Sequence, residues 1–94
     1  MVNYETIFLG VEPPEAAERI SNIVKHLRQS QSGKEYEYRT NAGIHLATLS
    51  PVRDRSGKRK SKLRYRTSII GAHLFHAHNK GKEIRAAVES VRVR

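Results

Sequence analysis

The chain has 94 residues, no cysteine, no tryptophan and a formal net charge of +9. Leu, Ile, Val and Phe together number 22, only just above the roughly 20% below which a highly charged chain stays disordered, so a fold with a lean core is expected. No apolar run approaches the ~20 residues that span a bilayer, and the lack of cysteine excludes disulfides, thiol nucleophiles, zinc ribbons and iron–sulfur sites.

Asn3–Val11 alternates loosely and is rich in aromatic and β-branched residues, which predicts a strand. Glu12-Pro13-Pro14-Glu15 opens a helix, since proline is tolerated where N–H groups have no intrahelical partner. Glu12, Glu15 and Glu18 suit the positive end of its dipole. Ala16, Ile20, Ile23, Val24 and Leu27 recur as one apolar stripe, so this helix is expected to end near Ser30, with Gly33 in the exit. Glu35–Thr40 sets Tyr36, Tyr38 and Thr40 against Glu35, Glu37 and Arg39, an alternation that predicts a strand with the tyrosines inward. Asn41-Ala42-Gly43 reads as a turn and Ile44–Val52 as the next strand. After a polar tip, Lys62–Ile70 is a third consecutive strand, with Leu63, Tyr65, Thr67 and Ile69 opposite Arg64, Arg66 and Ser68. Gly71–Val91 forms the last helix along Leu74, Ala77, Gly81, Ile84, Val88 and Val91, where Gly81 is either a point of close packing or a break. Val91-Arg92-Val93-Arg94 extends as a tail or short strand.

The order β-α-β-β-β-α predicts an α+β fold, a two-layer sandwich in which two helices pack on one face of an antiparallel meander. One domain covers residues 1–94, with a basic β-hairpin tip at 53–62. The opposite sheet face is then open and carries Glu37, Arg39, Arg64 and Arg66.

The charge is segregated. Residues 1–47 carry a net −1 and residues 48–94 a net +10. Arg53, Arg55, Lys58, Arg59, Lys60, Lys62, Arg64 and Arg66 fall within fourteen residues that hold a single acid, Asp54. Surfaces ordinarily mix the two signs, so an unmixed run marks an anion-binding segment or a solvated tip. Lys and Arg displace the counterions condensed on a phosphate backbone, and their release drives binding. Nucleic acid, DNA or RNA, is therefore the first expected partner, held by these eight residues with Arg39, Lys80 and Lys82. An acidic protein partner and a homodimer are the alternatives, and integral membrane association is not expected. The first residues hold Glu5 and no basic leader, so they do not read as a signal peptide. A chain without cysteine fits an intracellular, cytoplasmic setting.

Other chemistries have less support. His73, His76 and His78, with Glu83 further along, are too few and too poorly spaced for a metal site, so no metal and no cofactor are expected. Catalysis is not expected either: no nucleophile elbow, P-loop or dinucleotide fingerprint occurs, and the glycines stand singly. A small-ligand domain is the third reading, but so short a chain leaves little room for a pocket of ~300 Å³ or more.

Tyr36-Glu37-Tyr38, Gly43-Ile44-His45 and Ala86-Ala87-Val88-Glu89-Ser90-Val91 lie along an α-β-β-β-α order from Pro13 to Val91. In this the chain resembles the double-stranded RNA-binding domain. The resemblance implies RNA contacts from a lysine cluster opening the last helix, of which only Lys80 has a counterpart here. The basic tip Arg53–Lys62 is similar in type to the hairpin of phage-integrase arm modules.

Overall fold

The computed structural model describes residues 3–67 and 75–93, the side chains of 75–78 excepted. In chain order the elements are β1 (Tyr4–Leu9), α1 (Pro13–Ile23), β2 (Arg28–Ser32), β3 (Glu35–Arg39), β4 (His45–Arg53), β5 (Arg59–Arg66), α2 (Phe75–Ala87) and a 3₁₀ turn (Glu89–Val91). The strands form one antiparallel sheet in the order β1-β5-β4-β3-β2. Both helices pack on one face, where Ile20 and Val24, Ile84 and Val88 meet Ile7, Leu9, Leu49, Leu63 and Tyr38 in a single buried cluster. The α+β, two-layer expectation holds, with one strand more than the sequence suggests.

That extra strand replaces the second half of the expected first helix. Glu12 precedes α1 in extended conformation and Pro13 and Pro14 occupy its first turn, as expected. The helix ends at Ile23 instead of Ser30, Val24 turns extended, and His26 adopts the left-handed φ of 60°. Val24 is still buried and Leu27 still packs against the core, now from non-helical backbone. Ile23, the last helical residue, is 61% exposed and leaves the stripe. Arg28–Ser32 then pairs with Glu35–Arg39 across Gly33-Lys34, with Gly33 at φ 61°. A two-residue hairpin loop favours glycine at such a position.

A second irregularity lies in β4. Tyr38 pairs with Ala47 but Arg39 pairs with His45, so Leu46 is an extra residue on this strand. Such a bulge resets the in–out alternation. Leu46 and Ala47 are both fully buried, and His45 is turned to the opposite face.

Gly81 is the point of close packing. A Cβ on it would lie 2.6 Å from the Arg66 carbonyl oxygen, so α2 approaches β5 backbone to backbone, and α2 runs unbroken from Phe75 to Ala87. The C-terminal tail returns to β1: Gly10 N–H donates to Val91 O at 2.7 Å and Val93 N–H to Phe8 O at 2.8 Å. The buried Ser61 hydroxyl donates to Val11 O at 2.7 Å, so its burial leaves no donor unpaired.

Residues 68–74 lie outside the described residues, and with them the expected end of the third meander strand, the start of the last helix at Gly71, and Leu74. Among the described residues no helix is long and apolar enough to cross a membrane. Ile84 is fully buried between α2 and the sheet. Ile84→Ala is expected to cost ~2–5 kcal/mol, the range for truncating a buried aliphatic side chain in place, measured by urea denaturation.

Candidate functional site

Alternation along β5 sorts its side chains by face. Ser61, Leu63 and Tyr65 point to the helices and are buried. Lys60, Lys62, Arg64 and Arg66 share the other face, successive pairs lying roughly 6.8 Å apart along the strand. The registers bring Tyr4, Thr6 and Phe8 beside them from β1, and Thr48, Ser50, Glu37 and Arg39 from β4 and β3. No described element packs on this face.

Its centre is built around Tyr4 and His45. The Tyr4 hydroxyl and His45 Nδ1 are 2.9 Å apart, and His45 Nε2 lies 2.8 Å from Thr48 Oγ1. The Arg64 guanidinium sits 4.2 Å over the Tyr4 ring and that of Arg66 5.6 Å from it, a placement that the negative ring face favours. Arg66 Nε donates to the His45 carbonyl at 2.9 Å, and its buried Nη1 has no partner among the described residues. Arg39 pairs with Glu37 at 3.3 Å, and Glu35 accepts from the Ser50 hydroxyl at 2.9 Å, so both acids of β3 are engaged.

Burial lowers the His45 pKa, and Arg39, Arg66 and Arg64 lower it further against the opposing effect of Glu37. The ring is therefore neutral at pH 7. Below about pH 6.5 the unfolded chain takes up a proton that the fold resists, so this group removes stability as pH falls from there through its folded value. His45→Gln is expected to lose less melting temperature than wild type between pH 7 and pH 5.

The hairpin tip is an ordered loop. Asp54 Oδ1 accepts from Ser56 N–H at 2.9 Å, from the Ser56 hydroxyl at 2.6 Å and from Lys58 N–H at 2.9 Å, and Oδ2 pairs with Lys60 at 3.3 Å. Gly57 takes φ 83°, and Arg53 Nη1 donates to its carbonyl at 2.9 Å. Of the segment 53–62 only Asp54–Lys58 lies outside the strands. The Ser56 hydroxyl first, then the Lys58 N–H, hold the Asp54 pKa down to about 2. A depressed carboxyl contributes stability above its unfolded value near 3.9 and loses it as pH falls through about 2. The Asp54 carboxyl resonance is therefore expected to titrate with a midpoint near 2, and Asp54→Ala to raise amide exchange in the loop.

The eleven basic candidates thus divide. Arg39, Lys60, Lys62 and Arg64 share the open face; Arg66 lies on the same side but is only 6% exposed, its guanidinium held at the His45 carbonyl, so like Lys80 it is a buried structural cation. Arg55 and Lys58 are exposed at the tip. Arg53 and Arg59 lean to the helix side, where Arg59 lies 3.9 Å from Glu12. Lys82 is exposed on α2 next to Tyr65 and Glu5, away from the open face. Lys80 corrects the expectation: it is 8% exposed, donates to the Lys25 carbonyl at 2.7 Å and pairs with Glu83 at 3.4 Å. Its ammonium secures the chain leaving α1, so it does not join a phosphate-binding surface. Tyr4, Phe8 and His45 belong to the face and are not among the sequence candidates. Phe8 is 51% exposed.

Among the described residues no three His, Cys, Asp or Glu side chains are grouped as metal ligands. His73 and the side chains of His76 and His78 lie outside the described residues. On the helix side, a cleft of about 490 Å³ opens between the start of α1 and the two hairpins β2–β3 and β4–β5. The expectation was little room for a pocket of ~300 Å³ or more; this cleft exceeds that size.

Comparison with known protein families, curated proteins and solved structures gives no match to this chain. Four strands, not the three of the expected α-β-β-β-α order, separate the helices here.

Proposed function

We propose that this chain is a non-catalytic nucleic-acid-binding module that holds a sugar–phosphate backbone against its open sheet face. The observation that carries the proposal is the stripe Lys60, Lys62 and Arg64 on one strand of a face that no described element covers, with Arg39 beside it and the buried Arg66 beneath its end. Among the described residues Lys62 and Arg64 have no acidic partner within salt-bridge distance, and Arg64 is exposed. Guanidinium groups in such a position favour phosphate, which accepts paired hydrogen bonds.

Phe8 supports a single strand over a duplex, because its exposed ring on the rim of a flat face gives unstacked bases an apolar plane. Phosphate contacts carry no base information, so sequence preference is weak. A cytoplasmic location, in keeping with a chain without cysteine, belongs to the same proposal.

The test is fluorescence anisotropy with a labelled single-stranded oligonucleotide of mixed sequence at 50 mM salt. Saturable binding that weakens steeply with salt is expected. Absence of binding to single- and double-stranded DNA and RNA at low salt overturns the proposal and transfers the face to an acidic protein partner.

A further inference from the structure

The cleft on the helix side is separate from the open face and has its own chemistry. Tyr36 lines it while packing its other side against the core, and Pro13, Pro14 and Pro51 supply further flat, apolar surface. Lys34, Arg53 and Arg59 stand around it against a single acid, Glu12, and Lys60, which turns its side chain to the open face and pairs with Asp54, reaches only its margin. Lys34 has no ion pair among the described residues, and the contact of Arg59 with Glu12 is long and solvent-exposed. The start of α1 adds no free donors: Pro13 and Pro14 have no N–H, and the N–H groups of Glu15 and Ala16 both bond Glu12 O, at 3.1 and 3.2 Å. Anion recognition in this cleft therefore belongs to the side chains. A volume of about 490 Å³ lies within the ordinary range for small-molecule sites.

We propose that this cleft binds a small molecule joining a planar ring to phosphate groups, with a nucleoside diphosphate as the representative ligand. The ring lies against Tyr36 and the prolines, and the phosphates lie among Lys34, Arg53 and Arg59. This site does not depend on polymer binding at the open face: Lys34 and Tyr36 take no part there, and Arg39 and Arg64 take no part here.

The experiment titrates ADP, and separately inorganic pyrophosphate, into the 94-residue chain, followed by amide NMR and calorimetry. One saturable site is expected, with shifts at Gln31, Lys34, Tyr36, Arg53 and Arg59, and ADP binding more tightly than pyrophosphate. Lys34→Glu, on an exposed turn, is expected to weaken ADP about tenfold or more, the scale of one lost charge-assisted contact. Tyr36→Leu keeps an apolar side chain and is expected to bring ADP down to the affinity of pyrophosphate. Arg64→Glu leaves ADP binding unchanged while weakening the oligonucleotide, which separates the two sites. The proposal is overturned by no saturable shifts at millimolar ADP, by shifts centred on Tyr4, His45 and Arg64 instead, by equal affinity for pyrophosphate and ADP in the wild type, or by indifference to Lys34→Glu.

Discussion

Gly81→Val is expected to destabilise the protein by about 3 kcal/mol, the upper part of the ordinary range for overpacking a filled interior. For a domain of this size that corresponds to a fall in melting temperature of roughly 12–24 °C. The obstructing atom is the Arg66 carbonyl oxygen, 2.6 Å from the position a Cβ would take. It cannot swing aside like a side chain, because Arg66 is fixed in the sheet opposite Tyr4. Gly81→Ala is the sharper test of direction. Alanine favours a helix interior by about 1 kcal/mol over glycine, so propensity alone predicts a more stable protein, while contact between α2 and β5 predicts a less stable one. A loss is expected, read by thermal melts followed by circular dichroism. A rise in melting temperature for Gly81→Ala would mean that the two backbones do not touch.

Lys62→Glu with Arg64→Glu is expected to have the largest effect on binding. On a single strand each phosphate contact contributes about −0.7 to the slope of log K against log salt. With four to six contacts the wild type should lose on the order of a hundredfold in affinity between 50 and 200 mM salt. Removing two contacts should flatten the slope by about 1.4, and the weakening should be the same for every sequence. The fold should survive, since Arg64 is exposed and Lys62 half-exposed; Arg64 gives up only its stacking on Tyr4, worth roughly 0.5–1 kcal/mol. The corresponding reversal at the tip, Arg59→Glu with Lys60→Glu, should do less, because those two cations already face Glu12 and Asp54. Binding that keeps its salt slope after the Lys62 and Arg64 reversal would place the nucleic acid elsewhere.

The parts of this arrangement that were legible in the sequence are those where periodicity and burial coincide. Ile20, Val24, Ile84 and Val88 reach the core, Tyr38 and Tyr65 turn inward, and Arg39 and Arg64 turn outward, as alternation requires. Arg28–Ser32 was illegible because an edge strand beyond the helices buries none of its five residues and so carries no apolar period. The end of α1 was hidden for the opposite reason: Val24 and Leu27 remain on the core after the helix has stopped, so the apolar stripe outlasts the helix. His45 was concealed by the Leu46 bulge, which reverses the facing of every residue before it on that strand. The inward turn of Lys80 depends on the Lys25 carbonyl, fifty-five residues away, and no local pattern encodes such a partner.

The return of the C-terminal segment to β1 has a consequence for self-association. The outward-facing Gly10 N–H and Phe8 O are already occupied by Val91 and Val93, which covers the Phe8–Gly10 end of that margin against an incoming strand. The other margin, β2, pairs only with β3 among the described residues, and all five of its side chains are exposed. Hydrogen-bonded growth of the sheet is thereby directional. Two copies joined β2 to β2 would form a two-fold pair whose remaining margins are each shortened by the Val91–Val93 segment, whereas an unending fibre needs both edges free. The Val91–Val93 segment thus biases sheet association away from β1 and toward the β2 margin.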